Sequence, residues 1–162
     1  NHNFEALFVL PEARVDDSVA VLQGLDGRKM SKSYQNTIPL FESEKRLRKA
    51  INKVKTNLLE PGEPKDPDDS TVFQLWRAFA DEVQIEAMRS AFQEGIAWGK
   101  AKKQLFELIN EELSQPRAEY ERLINDPAYI EHTLALGAEK AREECGELMH
   151  QVRSAVGIRR MN

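Results

Sequence analysis

Apolar side chains recur at intervals of three and four residues through most of this 162-residue sequence after about residue 43. That period places them on one face of an α-helix, so it restricts this part of the chain to helices packed on helices. The clearest run follows Ser70, which is positioned to cap a helix. Its apolar positions are Val72, Leu75, Trp76 and Phe79. We therefore predict a mainly α fold, with a helical domain over residues 42–162.

Two shorter helices are predicted on either side of that run. Ser43 is a candidate N-cap for a helix that extends to about Val54. Residues 84–94 form the other, and Gly95 supplies its stop signal. Residues 60–69 contain three prolines and are expected to be a loop between the first of these helices and the helix that follows Ser70.

Two longer helices complete the prediction. Residues 100–124 have helical spacing, but Pro116 is expected to kink this helix or split it in two. Asp126 followed by proline is a helix start, and the last helix is expected to end near Gly157. Cys145 lies on its apolar stripe, so we expect this cysteine to be buried.

The N-terminal residues have a different character. Residues 5–10 form a short apolar run that ends at Pro11, which predicts one buried strand. A single strand leaves its backbone groups unpaired, so its partners are expected upstream of Asn1. We therefore assign residues 1–41 to the end of an α/β domain that precedes the helical one.

Charge is distributed unevenly along the chain. The net charge is −4, yet residues 28–55 hold nine lysines and arginines against two glutamates. A basic segment within an acidic protein predicts a local phosphate site rather than general binding of polyanions. The single cysteine excludes an internal disulfide and favours a cytoplasmic location. No apolar run approaches the ~20 residues that a membrane span needs.

The basic segment begins with the pentapeptide Lys29-Met30-Ser31-Lys32-Ser33, directly after the turn Gly24-Leu25-Asp26-Gly27-Arg28. Two ammonium groups three residues apart can meet neighbouring phosphate oxygens, while hydroxyl and backbone N–H groups take the remaining acceptors. Glycines in the turn allow the loop to close over a ligand. The pattern predicts a polyphosphate-binding loop.

The pentapeptide resembles the KMSKS signature of class I aminoacyl-tRNA synthetases. The wider segment from Gly24 to Phe41 resembles the tryptophanyl-tRNA synthetases of bacterial type. Three further segments are also similar to that family: Phe8 to Glu12, Gly95 to Lys102 and Val156 to Arg160. The resemblance covers essentially the whole chain, and it implies the C-terminal part of such an enzyme, beginning just before the signature loop.

The resemblance implies a role for each residue of the loop. Lys29 and Lys32 are the expected catalytic residues, which stabilise the pyrophosphate that leaves ATP. Ser31 and Ser33 are expected to contact ATP, Met30 to anchor the loop, and Gly27 to act as its hinge. Mg²⁺ would share the charge stabilisation. No protein metal site is predicted, because the three histidines show no ligand spacing.

The resemblance also implies partners. These are ATP, L-tryptophan bound outside this chain, tRNA-Trp at the helical domain, and a second subunit in a homodimer. No residue can be assigned to the anticodon, although several basic side chains are candidates: Arg117, Arg122, Lys140, Arg142, Arg159 and Arg160. The stripe Lys45, Lys49 and Lys53 is a further candidate for contact with tRNA or nucleotide.

Two alternatives remain open at this point. The tyrosyl branch of the same subclass shares the loop signature, and the residues that would select the amino acid are not in this sequence. A nonenzymatic tRNA-binding module is the other alternative. The second ATP signature of the class, the HIGH-like motif, is also absent, so this chain alone is not expected to activate an amino acid.

Overall fold

The computed structural model describes residues 3–15 and 21–158, and the described part of the chain is helical. Its five α-helices are α1 (Glu44–Asn52), α2 (Thr71–Arg77), α3 (Glu82–Gln93), α4 (Trp98–Ile124) and α5 (Pro127–Ala155). The mainly α fold class is confirmed. None of the helices in these two ranges is both long and apolar enough to cross a membrane.

The strand predicted over residues 5–10 is wrong for this chain. The segment has no regular secondary structure, and Val9 and Leu10 are exposed. A strand is stable only when it pairs with a neighbouring strand, and the residues in ranges 3–15 and 21–158 form no strand that pairs with this segment. The apolar run by itself could not decide this, because composition does not reveal whether a pairing strand is present.

The chain divides into two compact units. One runs from Val15 to Glu121, and the other holds the residues up to Arg14 and those from Arg122 onward. The boundary that we predict between residues 41 and 42 rests on the family resemblance and stays a prediction.

The buried core lies within the Val15–Glu121 unit. It is built from apolar side chains of α1 to α4, among them Leu47, Ile51, Phe73, Phe92 and Leu105, which are all 0% exposed. Most of these are positions that the three-and-four spacing places on one face of a helix, but Phe73 is not among the predicted ones. The predicted face of α2 is confirmed at Val72, Leu75 and Trp76, whereas Phe79 lies beyond the end of the helix and is partly buried.

The helix starts follow the predicted caps. The Ser70 hydroxyl accepts a hydrogen bond from Phe73 N–H (3.3 Å), and the Asp126 carboxylate accepts one from Tyr129 N–H (3.1 Å). Ser43 occupies the N-cap position of α1, but its side chain makes no capping bond. Capping by Ser70 and Asp126 is confirmed.

Pro116 lies inside α4 without splitting it. Of the two predicted effects the split is therefore wrong, and the kink stays a prediction. Proline removes one backbone donor and crowds the preceding turn, which weakens a helix locally. The turns on either side keep their own hydrogen bonds, and α4 is anchored by the buried side chains of Ala101, Leu105 and Ile109. This packing outweighs the loss at one position.

The expectation that Cys145 is buried is also wrong, because the thiol-bearing residue is exposed. No described residue of α5 is buried, and Leu134 is 61% exposed. The spacing predicts correctly which side chains share a face of α5. It cannot show whether another element covers that face. Arg159 and Arg160 lie outside the described residues.

Candidate phosphate-binding loop

The backbone of the signature segment is folded back on itself. An antiparallel bridge joins Gln23 and Lys29, with Gly24 N–H donating to the Arg28 carbonyl (2.7 Å) and Met30 N–H donating to the Leu22 carbonyl (2.8 Å). A tight turn closes the bridge. The segment over residues 22–36, which we call the signature loop, is thus an ordered structure rather than an open basic tail.

The two glycines of the turn act differently. Gly27 has a φ of +81°, a conformation that side chains with a Cβ rarely adopt. Gly24 instead permits a close approach, because a Cβ there would lie 2.4 Å from the side chain of Asn36. The predicted backbone freedom therefore applies to Gly27, whereas Gly24 is required for packing.

Asn36 is the residue that holds the signature loop in shape. Its side chain is 2% exposed. Its Oδ1 accepts from Ser31 N–H (2.8 Å), and its Nδ2 donates to the Asp26 carboxylate (2.7 Å) and the Lys29 carbonyl (3.2 Å). Its own carbonyl accepts from Leu25 N–H (2.9 Å). One buried amide thus links the turn to the first and third residues of the pentapeptide.

Asp26 carries the negative charge beside this amide. The hydrogen bond from Asn36, together with bonds and charge from Arg28, lowers the pKa of Asp26 to about 2. The Arg28 guanidinium is 2.7 Å from the carboxylate and also stacks 4.4 Å from the centre of the Tyr34 ring. Arg28 is therefore occupied within the loop.

The two predicted catalytic lysines, unlike Arg28, make no polar side-chain contact within the loop. Lys29 and Lys32 are exposed, and neither has an ion pair or side-chain hydrogen bond among the residues that the structure describes. Arg28 is bound to Asp26, so the signature loop presents these two ammonium groups as its uncommitted charges. That is the arrangement a polyanion needs, because no internal salt bridge has to break when it binds.

Ser31 and Ser33 shape the local backbone. Ser31 caps the 3₁₀ turn Lys32–Tyr34, and its hydroxyl accepts from Ser33 N–H (3.2 Å). The Ser31 hydroxyl therefore has a structural partner already, while Ser33 is exposed. Met30 is half-buried and packs against the helical core, as expected of an anchor for the loop.

The signature loop is joined to the helical core at its base. Lys55 N–H donates to the Leu25 carbonyl (2.8 Å), and the Thr71 hydroxyl donates to the Gln23 side chain. A polar cleft of about 320 Å³ lies here, lined by Gly27, Lys55 and other polar residues. The base of the loop therefore lies beside the end of α1 and the start of α2.

Sequence reasoning identifies the signature residues but misses Asn36 and Asp26 as the residues that fix their positions. Both residues lie within the signature loop. Asparagine and aspartate beside a glycine turn commonly bind local backbone groups, and that chemistry is the available signal. The buried position of Asn36 has no signal in the sequence.

Comparison with known proteins gives one consistent result. Residues 2–114 match the family model for class I tRNA synthetases (W and Y). The chain is 52% identical over 159 residues to a tryptophan–tRNA ligase of Neisseria meningitidis, covering 98% of this chain and 47% of that protein. It is 49% identical to a tryptophan–tRNA ligase of Pseudomonas aeruginosa, of which it covers 36%. The chain therefore spans about half, or less, of the length of these relatives.

A solved structure has the same fold. The crystal structure of tryptophanyl-tRNA synthetase from Campylobacter jejuni complexed with ADP and tryptophan matches with a TM-score of 0.80 and 37% sequence identity. The match covers 97% of this chain and 50% of the other.

Proposed function

Since the chain belongs to the class I tRNA synthetases of the W and Y group, we propose that it forms the ATP-phosphate loop and the helical tRNA-binding part of a tryptophan–tRNA ligase. The observation that carries the proposal is the ordered signature loop. In it a buried Asn36 fixes the backbone, and Lys29 and Lys32 have no partner among the described residues. The names of the relatives support tryptophan over tyrosine as the amino acid.

The proposed reaction has two steps. The carboxylate of tryptophan attacks the α-phosphorus of ATP and pyrophosphate leaves, after which the aminoacyl group passes to the terminal ribose of tRNA-Trp. Negative charge grows on the leaving pyrophosphate in the first step. Lys29 and Lys32 would stabilise it as preorganised cations, since neither must first give up a partner within the described chain.

The remaining loop residues would act through the backbone. The Ser31 hydroxyl accepts from Ser33 N–H and keeps its own O–H for donation, so Ser31 would shape the loop and, together with Ser33, would contact phosphate. Met30 would keep the loop on the core, and Gly27 would permit its turn.

Magnesium would neutralise phosphate charge when bound. The described residues bring no three histidine, cysteine or acidic side chains together in a metal site. Phosphate oxygens and water would therefore be its ligands, as is common for Mg²⁺ on nucleotides. The protein's own contribution is the pair of lysines.

The amino-acid pocket, the HIGH-like motif and the homodimer surface of the family would be supplied by sequence outside this chain. The test is therefore made in a hybrid protein, in which this chain replaces the matched 159 residues of the Neisseria meningitidis relative. We expect ATP–pyrophosphate exchange at a rate close to that of the parent enzyme, with tryptophan as the substrate because the relative supplies the amino-acid pocket. No exchange by a folded hybrid beside an active parent enzyme would contradict the proposal that this chain provides the ATP-phosphate loop.

The proposed RNA partner is tested separately with the 162-residue chain. Binding to a tRNA-Trp transcript is measured at physiological salt with a tRNA-Tyr transcript as competitor. We expect tRNA-Trp to be preferred. Equal binding of both transcripts would favour the alternative of a tRNA-binding module without amino-acid specificity.

A further inference from the structure

The outer face of α1 carries lysines that make no polar side-chain contact within the described chain. Lys45, Lys49 and Lys53 are exposed, and none has an ion pair or side-chain hydrogen bond among the described residues. The arginines of the same helix differ, because Arg46 pairs with Glu42 (2.8 Å) and Arg48 with Glu44 (2.9 Å). The helix thus separates its cations into a paired set and a free set.

The three free lysines add little net stability to α1. They lie four residues apart, where like charges on a helix repel one another. Lys45 in the first turn is unfavourable to the helix dipole, and this opposes the favourable positions of Lys49 in the last turn and Lys53 at the C-cap. The opposite face supplies the stability, since Leu47 and Ile51 are fully buried in the core.

We infer that Lys45, Lys49 and Lys53 form a contact surface for the phosphodiester backbone of tRNA. The inference rests on the proposed function for the identity of the RNA. At about 1.5 Å of rise per residue the lysines are ~6 Å apart, so the stripe extends over ~12 Å of a helix that the core holds rigid. Such a row of point charges can meet several successive phosphates of one strand without reading a base.

The chemistry predicts binding that is strongly salt-dependent and insensitive to sequence. Each phosphate neutralised by a lysine releases condensed counterions, and this release contributes about 0.7–0.9 to the steepness of log K against log salt. Replacing all three lysines should therefore make that slope shallower by about 2–3. The effect on RNA binding is largest at low salt.

The test uses the 162-residue chain and a tRNA-Trp transcript, with fluorescence anisotropy over a salt series. The variant carries Lys45→Gln, Lys49→Gln and Lys53→Gln. The control carries Lys100→Gln, Lys103→Gln and Arg153→Gln, which changes the net charge equally at exposed positions that are not candidates for tRNA contact. We expect the slope to fall in the variant and to stay near the parent value in the control, with the variant melting near the parent temperature.

Three results would overturn the inference. These are an unchanged slope in the variant, an equal loss in the control, or weaker binding that accompanies a lower melting temperature. The last would mean that the lysines act through the fold. Tryptophan-dependent pyrophosphate exchange by the hybrid needs no tRNA, so it tests the proposed function independently. Retained exchange with an unchanged slope rejects the lysine surface alone.

Discussion

Replacing Asn36 by alanine is expected to disable the signature loop while leaving the helical core folded. The buried amide accepts from Ser31 N–H and donates to the Lys29 carbonyl. Without it both backbone groups lose their partner, which costs about 1–3 kcal/mol for each group that water cannot reach. Because the loop is half-exposed we take the lower part of that range, about 2–3 kcal/mol in total.

That magnitude can be measured as a rate. A loss of about 2–3 kcal/mol corresponds to a decrease of roughly 30- to 150-fold in the equilibrium constant for the ordered conformation, and this factor is the largest decrease expected in pyrophosphate exchange by the hybrid. The effect should fall mainly on kcat, because the loop stabilises charge that develops on the leaving group. Asn52→Ala is the matched control, since Asn52 is exposed on α1.

The variant Asn36→Asp tests whether Asn36 positions the loop or whether its replacement only destabilises the fold. It keeps an acceptor for Ser31 N–H but places a second carboxylate beside Asp26, so the pair should bind a proton that neither would bind alone. The shared proton raises the pKa of the pair, so activity should be partly restored at low pH and lost as pH rises. A pH profile like that of the parent, or Asn36→Ala exchanging within about threefold of the parent, would refute the role assigned to Asn36.

The remaining predictions concern the lysines, the turn and its carboxylate. Lys32→Ala in the hybrid should lower the activation rate by about 2–4 kcal/mol of transition-state stabilisation, and near-normal pyrophosphate exchange would contradict its assignment. Gly24→Ala should destabilise the loop by about 1–3 kcal/mol, because the new Cβ would lie 2.4 Å from Asn36. Urea unfolding of the chain tests this, with Gly146→Ala as the control, which has open space within α5 and should be stabilising by about 0.5–1 kcal/mol. The pKa of Asp26 is lowered to about 2, so its contribution to the stability of the loop is present above about pH 4 and is lost as pH falls towards 2. Amide hydrogen exchange at Ser31 over that range should follow this loss. An Asp26 that titrates in NMR near its ordinary pKa would contradict the prediction.

The helical part of the fold was predictable because its signal is periodic and local. Ser70 and Asp126 cap helices as their side chains predict, and the buried faces of α1 to α4 follow the three-and-four spacing. The wrong predictions depend on a second element, either one that covers the apolar face of a helix or one that pairs with a strand. Residues 5–10 have no described strand to pair with, and Cys145 is on a face that no described element buries.

The motif of the candidate site was predictable from the sequence, but the contacts that shape its loop were not. Lys29 and Lys32 could be chosen from the signature alone. The residue that shapes their loop, Asn36, could not, because its importance comes from burial and from three hydrogen-bond partners scattered between residues 26 and 31. These contacts depend on the way the turn folds back, which no spacing rule expresses.

The signature loop also determines how it could move over a nucleotide. Its internal hydrogen bonds join residues 22–36 to one another. The bonds of Leu25 with Lys55 and of Gln23 with Thr71, together with the packing of Met30 on the core, connect it to the rest of the unit. A displacement that breaks these connections would leave the internal network intact. The loop would then travel as a rigid lever with its lysines in fixed relation, so closure would cost little conformational entropy and would carry both charges to the phosphates together.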